Sequence, residues 1–394
     1  MLEKNLTQFV LPKDLKLLSI EIKHKTHLWT VEKVRQEFEV CPKCGSTSNV
    51  RAGRCRSRVR EQGLRDEELY LLIHKHRYFC KPCKKTFTEP VSIVWPRRRT
   101  TQRFRKSLAK NCHNYSNLSR VRKDMRVSSG LMYQVYYEQI SVKLNEFKGQ
   151  SWPTVLGIDE HFFRRQRGFR EFVTMFTDLK KRRLFEVGLG RSNKSLMEQV
   201  KDIPGRENVR VVSIDMSGGY RALVRKLFPN AKVVSDKFHV LRLLNPAIMS
   251  AGAKIHGHRQ ELSTRRKLLW SRVNLDYWQK SDINIYLKDK DELRELYKYK
   301  EEMFELYRIK GSQRARRKLE SMILRMSVSK VEKVRKLSRT LHKWREEVLY
   351  YFVEKWTNAF TEAMNNTGKL VQKQGYGYKS FVNYRLRVLS ACIF

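Results

Sequence analysis

The stretch from Val209 to Asp236 most constrains the fold, because it reads as a strand, a helix and a second strand. Two short, mostly apolar runs at 211–214 and 231–235 each stop at an aspartate, the first of which is Asp215. A Ser-Gly-Gly turn and an amphipathic helix join the two runs. Such runs are typical of buried parallel strands, and open α/β sheets place their chemistry just past the carboxyl ends of those strands. A site is therefore expected at the two aspartates.

The residues before this stretch predict the rest of an RNase H-like α/β sheet. Four further elements precede it: strands at 154–159, 171–178 and 184–189, and a helix at 192–200. In such a sheet the first three strands are antiparallel, and the fourth and fifth run parallel to the first. We expect the first strand to end at Asp159, at the same edge as Asp215 and Asp236. Asp178 ends the second strand at the opposite edge and is set aside.

A third catalytic acid is expected on a helix from Arg345 to Lys373, read as one continuous helix. Its predicted apolar face comprises Leu349, Phe352, Trp356, Phe360 and Ala363. Its predicted polar face comprises Lys355, Asn358, Glu362, Asn365, Asn366 and Lys369. A lone glutamate on a helix is usually just solvated, so a solvated role for Glu362 stays open beside a catalytic one.

Three such carboxylates would suit a two-metal phosphodiester site. Hydrolysis of a phosphodiester and attack by the freed 3′-OH are served by two Mg²⁺ (or Mn²⁺) ions about 4 Å apart. Mg²⁺ prefers hard oxygen ligands and is typically held by a few carboxylates and substrate phosphate. In this interpretation Asp159 bridges both ions, Asp215 binds one and Glu362 binds the other.

The charge of the chain points to a polyanionic partner. Its 394 residues include 83 Lys and Arg against 40 Asp and Glu, a formal net charge of +43. An excess of this size favours nucleic acid as the partner over a merely basic soluble protein. The charged N-terminal sequence and the lack of a long apolar run predict no signal peptide and no membrane span. We expect a cytoplasmic, nucleoid-associated protein.

Seven cysteines include two CxxC pairs separated by a β-rich segment. This spacing is typical of a zinc ribbon that holds one structural Zn²⁺ with four thiolates at about 2.3 Å. Four unrelated buried thiols are the alternative. The predicted zinc ligands are Cys41, Cys44, Cys80 and Cys83.

Residues 97–147 change to helical periodicity and resemble a helix-turn-helix unit, with the third helix beginning at Ser128 or Ser129. A plain three-helix linker with a solvated basic face is the alternative. Candidate phosphate contacts are Arg120, Arg122, Lys123 and Arg126, and candidate base contacts are Gln134 and Tyr137.

The chain therefore divides into five predicted segments of a multidomain α/β protein. They are a β-rich zinc ribbon at 1–95, the helix-turn-helix at 96–150, the first part of an RNase H-like core at 151–240, an all-helical insertion at 241–345, and the remaining core helices at 346–394. Basic clusters in the insertion, such as 314–318, would either grip a DNA backbone or be solvated helix faces.

Taken together, these residues resemble the ISL3 family of bacterial insertion-sequence transposases over nearly the whole chain. The most specific matching segments are VLGIDEHFF at 155–163, SIDMS at 213–217, DKFHV at 236–240, NAFTEAMNN at 358–366 and GYGYKSFVNYRLR at 375–387. The resemblance implies an Asp-Asp-Glu catalytic triad at Asp159, Asp215 and Glu362. It also implies a D-x-x-H pair, Asp236 and His239, that supports the site or contacts DNA. We expect the same role, support of the site or contact with DNA, for Asn358, Asn365 and Asn366.

Three functions are consistent with the sequence. The first is a transposase, expected to act as a homodimer, that binds the terminal inverted repeats of its element in double-stranded DNA, cuts them and joins them to target DNA. The second is a catalytically idle regulator derived from such an enzyme, and the intact acids argue against it. The third is a nuclease with the same metal site but without strand transfer.

Overall fold

The computed structural model describes residues 11–64, 66–114, 117–147, 149–256 and 266–393. Residues 1–10 of the predicted zinc ribbon and residues 257–265 of the predicted insertion lie outside this part of the chain. The chain forms two compact units, Met1–Asn145 and Glu146–Phe394.

The first unit contains a β-sheet whose strands are β1 (Leu15–Lys23), β2 (Thr26–Lys33), β5 (Arg51–Leu64), β6 (Glu67–Cys80) and β7 (Lys85–Thr88). β1 and β2 form an antiparallel hairpin, and β2 pairs in parallel with β6. Alternate residues of these strands build an apolar core that includes Trp29, Val31, Val59, Leu69, Leu71 and Ile73. A two-stranded ribbon of β3 (Glu39–Val40) and β4 (Thr47–Ser48) lies between β2 and β5 in sequence.

Three helices follow in the first unit: α1 (Gln102–Asn114), α2 (Leu118–Asp124) and α3 (Ser129–Asn145). The side chain of Asn117 accepts a hydrogen bond from the backbone of Ser119 and caps α2. Ser128 Oγ accepts from the Leu131 backbone and caps α3, so the predicted start of this helix is confirmed.

The second unit contains the sheet that carries the candidate site. Its strands are β8 (Val155–Gln166), β9 (Phe169–Asp178), β10 (Arg183–Leu189), β11 (Val211–Ile214) and β12 (Lys232–Ser235). Their order is β10-β9-β8-β11-β12, with β8, β9 and β10 antiparallel and β11 and β12 parallel to β8. The predicted strand directions are confirmed. The prediction that the first strand ends at Asp159 is wrong, because residues beyond it pair with β9 in a long hairpin.

Helices cover both faces of this sheet. One face packs against α4 (Asn193–Gln199) and α5 (Gly218–Leu227). This packing buries Leu156, Ile158, Val212 and Ile214 of the sheet, together with Tyr220 and Leu223 of α5. On the other face, Val155, Val211 and Val234 pack against Tyr350, Tyr351, Trp356 and Phe360. The alternation of side chains along β8 and β11 thus divides the buried residues between two layers.

After β12 the chain is mostly helical, as predicted. The helices up to residue 354 are α6 (Lys237–Leu241), α7 (Asn245–His256), α8 (Tyr277–Leu287), α9 (Asp291–Leu306), α10 (Ser312–Ser327), α11 (Glu332–Lys343) and α12 (Arg345–Glu354). Their apolar faces join the core that lies over the sheet. No helix in the described part of the chain is both long and apolar enough to span a bilayer.

The C-terminal helices are α13 (Ala359–Gln374) and α14 (Phe381–Ile393). The prediction of one helix from 345 to 373 is wrong, because α12 ends at Glu354 and the next residue, Lys355, has a left-handed φ of 55°. The predicted faces of α13 also need correction. Ala363, assigned to the apolar face, is exposed, whereas the buried residues are Thr361, Asn365, Gly368 and Val371.

Candidate active site

Strand register brings three aspartates to one edge of the second sheet. Ile158 of β8 pairs with Ile214 of β11, and Ile214 pairs with Ser235 of β12. The next residue on each strand is therefore at the same level, and these residues are Asp159, Asp215 and Asp236. Asp159 lies within β8 rather than at its end, but its level in the sheet is the one that the sequence predicts.

Asp159 occupies a position where a negative charge is costly. Burial and the charge of Asp215 raise the pKa of Asp159 from 3.8 to about 7. Its Oδ1 accepts a hydrogen bond from the Glu160 backbone at 2.8 Å, and its Oδ2 accepts one from Asn365 Nδ2 at 2.6 Å. A cation bound between the two aspartates would relieve their repulsion.

His239 connects the other two aspartates. Its Nδ1 lies 2.8 Å from Asp215 Oδ1 and 3.0 Å from Asp236 Oδ2, and these two contacts raise the pKa of His239 to about 10. Burial alone would raise the pKa of Asp236, but His239 and the Asn358 backbone amide reverse this and lower it. The ligand atoms of Asp215, Asp236 and His239 lie within 4.8 Å of one another, so they form a group able to hold a cation.

The break between α12 and α13 places Asn358 at the centre of the site. Its backbone N–H donates to Asp236 Oδ1 at 2.9 Å, and its Nδ2 donates to the Ile158 carbonyl at 3.0 Å. In a continuous helix the Asn358 N–H would bond to the carbonyl four residues earlier, so the break frees this donor. Asn358 thus joins β8, the end of β12 and the start of α13.

The remaining predicted residues of α13 differ in their exposure to solvent. Asn365 is buried and hydrogen-bonded to Asp159, whereas Asn366 and Glu362 are exposed. Glu362 lies one helical turn before Asn365. Among the described residues, it is not in either of the two close groups of candidate metal ligands.

Close packing of α13 on the sheet depends on residues that sequence reasoning missed. A Cβ at Gly157 would lie 2.1 Å from Thr361 Oγ1 and 2.6 Å from Thr177 Oγ1, and the two hydroxyls are 2.7 Å apart. A Cβ at Gly368 would meet Tyr384 Oη at 2.8 Å. The two glycines therefore allow the helix to lie close to β8.

His161 is the other missed residue. It is 3% exposed, with Nδ1 2.9 Å from Asn365 Oδ1 and Nε2 2.7 Å from Tyr384 Oη. Burial, together with the charge of Lys369, lowers the pKa of His161. The available signal was the strand period of two, which puts Gly157, Asp159 and His161 on one face of β8.

The four predicted zinc ligands form the second close group found among the described residues, and they lie in the first unit. Their sulfurs all lie within 4.8 Å of one another, and Cys44 and Cys80 are 3.5 Å apart. Hydrogen bonds from Ser46 lower the pKa of Cys44 to about 6, while the bond to Cys44 raises the pKa of Cys83 to about 12. Four thiolates this close together suit one zinc ion, which four sulfurs at about 2.3 Å typically surround as a tetrahedron.

The candidate DNA contacts lie on or beside α2 and α3. The exposed residues of this set are Arg120, Lys123, Arg126 and Gln134, and the half-buried ones are Arg122 and Tyr137. Tyr137 stacks on exposed Tyr133 with 6.4 Å between ring centroids. Exposed cations and an exposed aromatic ring suit contact with a nucleic acid backbone and bases.

Comparison with known proteins shows the family to which this chain belongs. Residues 156–388 match the model of the ISL3-type DDE family, which is described as transposase. The chain is also 21% identical over 372 residues to the transposase for insertion sequence element IS1001 of Bordetella parapertussis, which covers 89% of this chain and 88% of that protein. The family match includes the three aspartates and all of α13. The chain belongs to the ISL3 family of transposases.

Proposed function

We propose that this protein cuts the ends of its insertion sequence and joins them to target DNA at a two-metal site. One observation carries the proposal: Asp159 and Asp215 lie at one level of adjacent strands, close enough for their repulsion to raise the pKa of Asp159. The sheet order and the family membership support an RNase H-like core.

The residues present fit two Mg²⁺ or Mn²⁺ ions. Asp159 would hold both, Asp215 one and Glu362 the other, and all three offer hard oxygen ligands. Bound ions of this kind activate the attacking oxygen and stabilise the leaving oxygen. A carboxylate has about four lone-pair directions, and Glu160 N–H and Asn365 Nδ2 take one on each oxygen of Asp159. Each oxygen keeps a free direction, as a bridging ligand requires.

Glu362 is proposed as the third acid because α13 is anchored on both sides of it. Asn358 fixes the start of the helix to β8 and β12, and Asn365 fixes the next turn to Asp159. The exposed Glu362 side chain lies between these anchors, free to meet a metal ion or DNA. Asp236 and His239 would hold Asp215 in place, and Asn366 would contact DNA.

The first unit is proposed to bind the terminal inverted repeats. Zn²⁺ held by the four cysteines would fix the ends of β6 and the β3–β4 ribbon as a zinc ribbon (1–95). The helices α1 to α3 would act as a helix-turn-helix (96–150), with Arg120, Arg122, Lys123 and Arg126 on phosphates and Gln134 and Tyr137 near bases. The core (151–240 and 346–394) would be interrupted by the helical insertion (241–345). Two element ends need two active sites, so we propose a homodimer.

The test is incubation of the full chain with a labelled duplex carrying the element end, with Mg²⁺ and separately with Ca²⁺. We expect nicking at the element boundary with Mg²⁺ only, abolished in Glu362→Gln and Asp159→Ala, with end binding retained. Glu354→Gln, on α12, is the matched control and should cut like the wild type.

Three outcomes would contradict the proposal in whole or in part. Tight end binding with no cutting under any divalent ion would favour the catalytically idle regulator. Cutting without joining, when a target plasmid is supplied, would favour the nuclease without strand transfer. Equal cutting by Glu362→Gln and wild type would remove Glu362 from the site.

A further inference from the structure

A chain of hydrogen bonds runs from the C-terminal helix to the first aspartate of the site. Tyr384 Oη on α14 lies 2.7 Å from His161 Nε2, His161 Nδ1 lies 2.9 Å from Asn365 Oδ1, and Asn365 Nδ2 lies 2.6 Å from Asp159 Oδ2. Tyr384 is fully buried, and His161 and Asn365 are each 3% exposed, so water does not replace these partners.

The direction of every bond in this chain is fixed by chemistry. A carboxylate that holds metal ions is deprotonated and only accepts, so the NH₂ group of Asn365 must face Asp159. The amide oxygen then faces His161, whose Nδ1 must carry the hydrogen. In the neutral ring Nε2 is then an acceptor, and the Tyr384 hydroxyl donates to it.

The reverse orientation would be unfavourable. If His161 carried its hydrogen on Nε2, Asn365 would have to turn its NH₂ group toward the ring and its oxygen toward Asp159. Two oxygens would then face each other at 2.6 Å. The direction is therefore set from Asp159 through Asn365 to the ring, and the Tyr384 hydroxyl, by donating to Nε2, stabilises the tautomer that this direction requires.

Close packing gives independent support for the same arrangement. A Cβ at Gly368 would lie 2.8 Å from Tyr384 Oη and 2.9 Å from His161 Cε1. The α13 helix thus has a glycine where the hydroxyl and the ring meet. The phenol ring of Tyr384 also packs against Phe163, with 4.9 Å between ring centroids.

We propose that Tyr384 and His161 are positioning residues for the metal site, which act through Asn365 to orient Asp159 for binding two divalent cations. This inference rests on the proposed function, because it assigns Asp159 to the metal ions. It adds a role for α14, a helix that supplies none of the proposed metal ligands.

The test measures metal binding by the full-length protein, with Mn²⁺ as the calorimetric probe. Tyr384→Phe removes one buried hydroxyl, and Tyr297→Phe removes another from α9 as the matched control. We expect the Kd for Mn²⁺ to rise about tenfold in Tyr384→Phe, as is usual for groups that support metal ligands, and to stay unchanged in Tyr297→Phe. The Mg²⁺ concentration for half-maximal nicking should shift equally, with end binding unchanged.

A second variant separates positioning from packing. His161→Asn keeps an N–H donor for Asn365 but loses the acceptor for Tyr384. In that background Tyr384→Phe should cause no further rise in the Kd for Mn²⁺, because Tyr384 acts only through His161. Additive losses, or a Tyr384→Phe protein that binds Mn²⁺ like the control, would overturn the inference.

Failure of the inference is distinguishable from failure of the proposed function. Asp159→Ala should abolish the high-affinity Mn²⁺ binding of the wild type. If it does not, the proposed metal site is wrong whatever Tyr384→Phe does. If Asp159→Ala abolishes binding and Tyr384→Phe leaves it intact, only the positioning role is wrong.

Discussion

Asp159 shows how one residue can be unfavourable for the fold and useful to the site. Its carboxylate is half-buried beside another carboxylate, so without a cation the charged form is costly and the pKa rises to about 7. Because a bound divalent cation removes this repulsion, the repulsion increases the free energy gained when the cation binds. Functional sites commonly contain groups perturbed in this way.

A consequence is that Asp159→Asn should stabilise the metal-free protein at high pH. The pKa of Asp159 is higher in the folded protein than its ordinary 3.8, so the wild type loses stability as pH rises from about 4 through about 7. The asparagine variant avoids this loss, which is at most about 4 kcal/mol. Thermal unfolding in a chelator should give similar Tm values at pH 4 and a higher Tm for the variant at pH 8.

The exposed carboxyl of Asp202 provides the control for this experiment. Asp202→Asn should unfold like the wild type at both pH values. Adding Mg²⁺ at pH 8 should raise the Tm of the wild type and not that of Asp159→Asn. A variant no more stable than wild type at pH 8 would show that Asp159 carries little repulsion.

At the scale of elements, much of the site was predictable and one important break was not. Short apolar runs followed by aspartates placed Asp215 and Asp236 at the ends of their strands, because buried parallel strands have a distinct composition. A helical wheel assumes an unbroken helix, so it could not reveal the break at Lys355 or the burial of Asn358. Contacts such as His161 with Tyr384 join residues 223 apart in sequence, which no local pattern encodes.

The packing of α13 on β8 predicts a strong effect of a single methyl group. In Gly157→Ala the new Cβ would meet two threonine hydroxyls and the Asn358 side chain, so the helix must move away from the sheet. We expect a loss of about 1–3 kcal/mol in the free energy of unfolding, as for other overpacked cores. Nicking should fall more than stability alone explains, because Glu362 and Asn365 move with the helix.

Gly218→Ala is the matched control, since a Cβ at the start of α5 meets nothing within 4 Å. It should unfold in denaturant at the same concentration as the wild type and nick at the same rate. Adding Thr361→Ala to Gly157→Ala removes the closest atom and should restore part of the lost stability. If Gly157→Ala cuts and unfolds like the control, α13 is not held as closely as the structure indicates.

At the scale of the whole molecule, charge and core are distributed over two units with separate apolar cores. The net charge of +43 favours binding to DNA, but in the free protein the positive charges repel one another and destabilise the folded state. The first unit has the smaller core, so a structural metal would contribute more to its stability. The two proposed metal sites lie in different units and should respond separately to metal removal.

Removal of zinc should therefore unfold one unit and leave the other folded. Calorimetry of the full chain is expected to show one unfolding transition for each unit. A zinc-selective chelator should lower only the Tm of the transition that belongs to the first unit. Cys80→Ser should reproduce this loss and weaken end binding, while Mn²⁺ binding, a property proposed for the second unit, persists.

Cys55→Ser is the control, because this cysteine lies outside the four-sulfur group and should leave both transitions unchanged. Equal lowering of both transitions by the chelator would mean that the two units unfold together, and unchanged end binding after verified zinc loss would remove the zinc ribbon from DNA recognition.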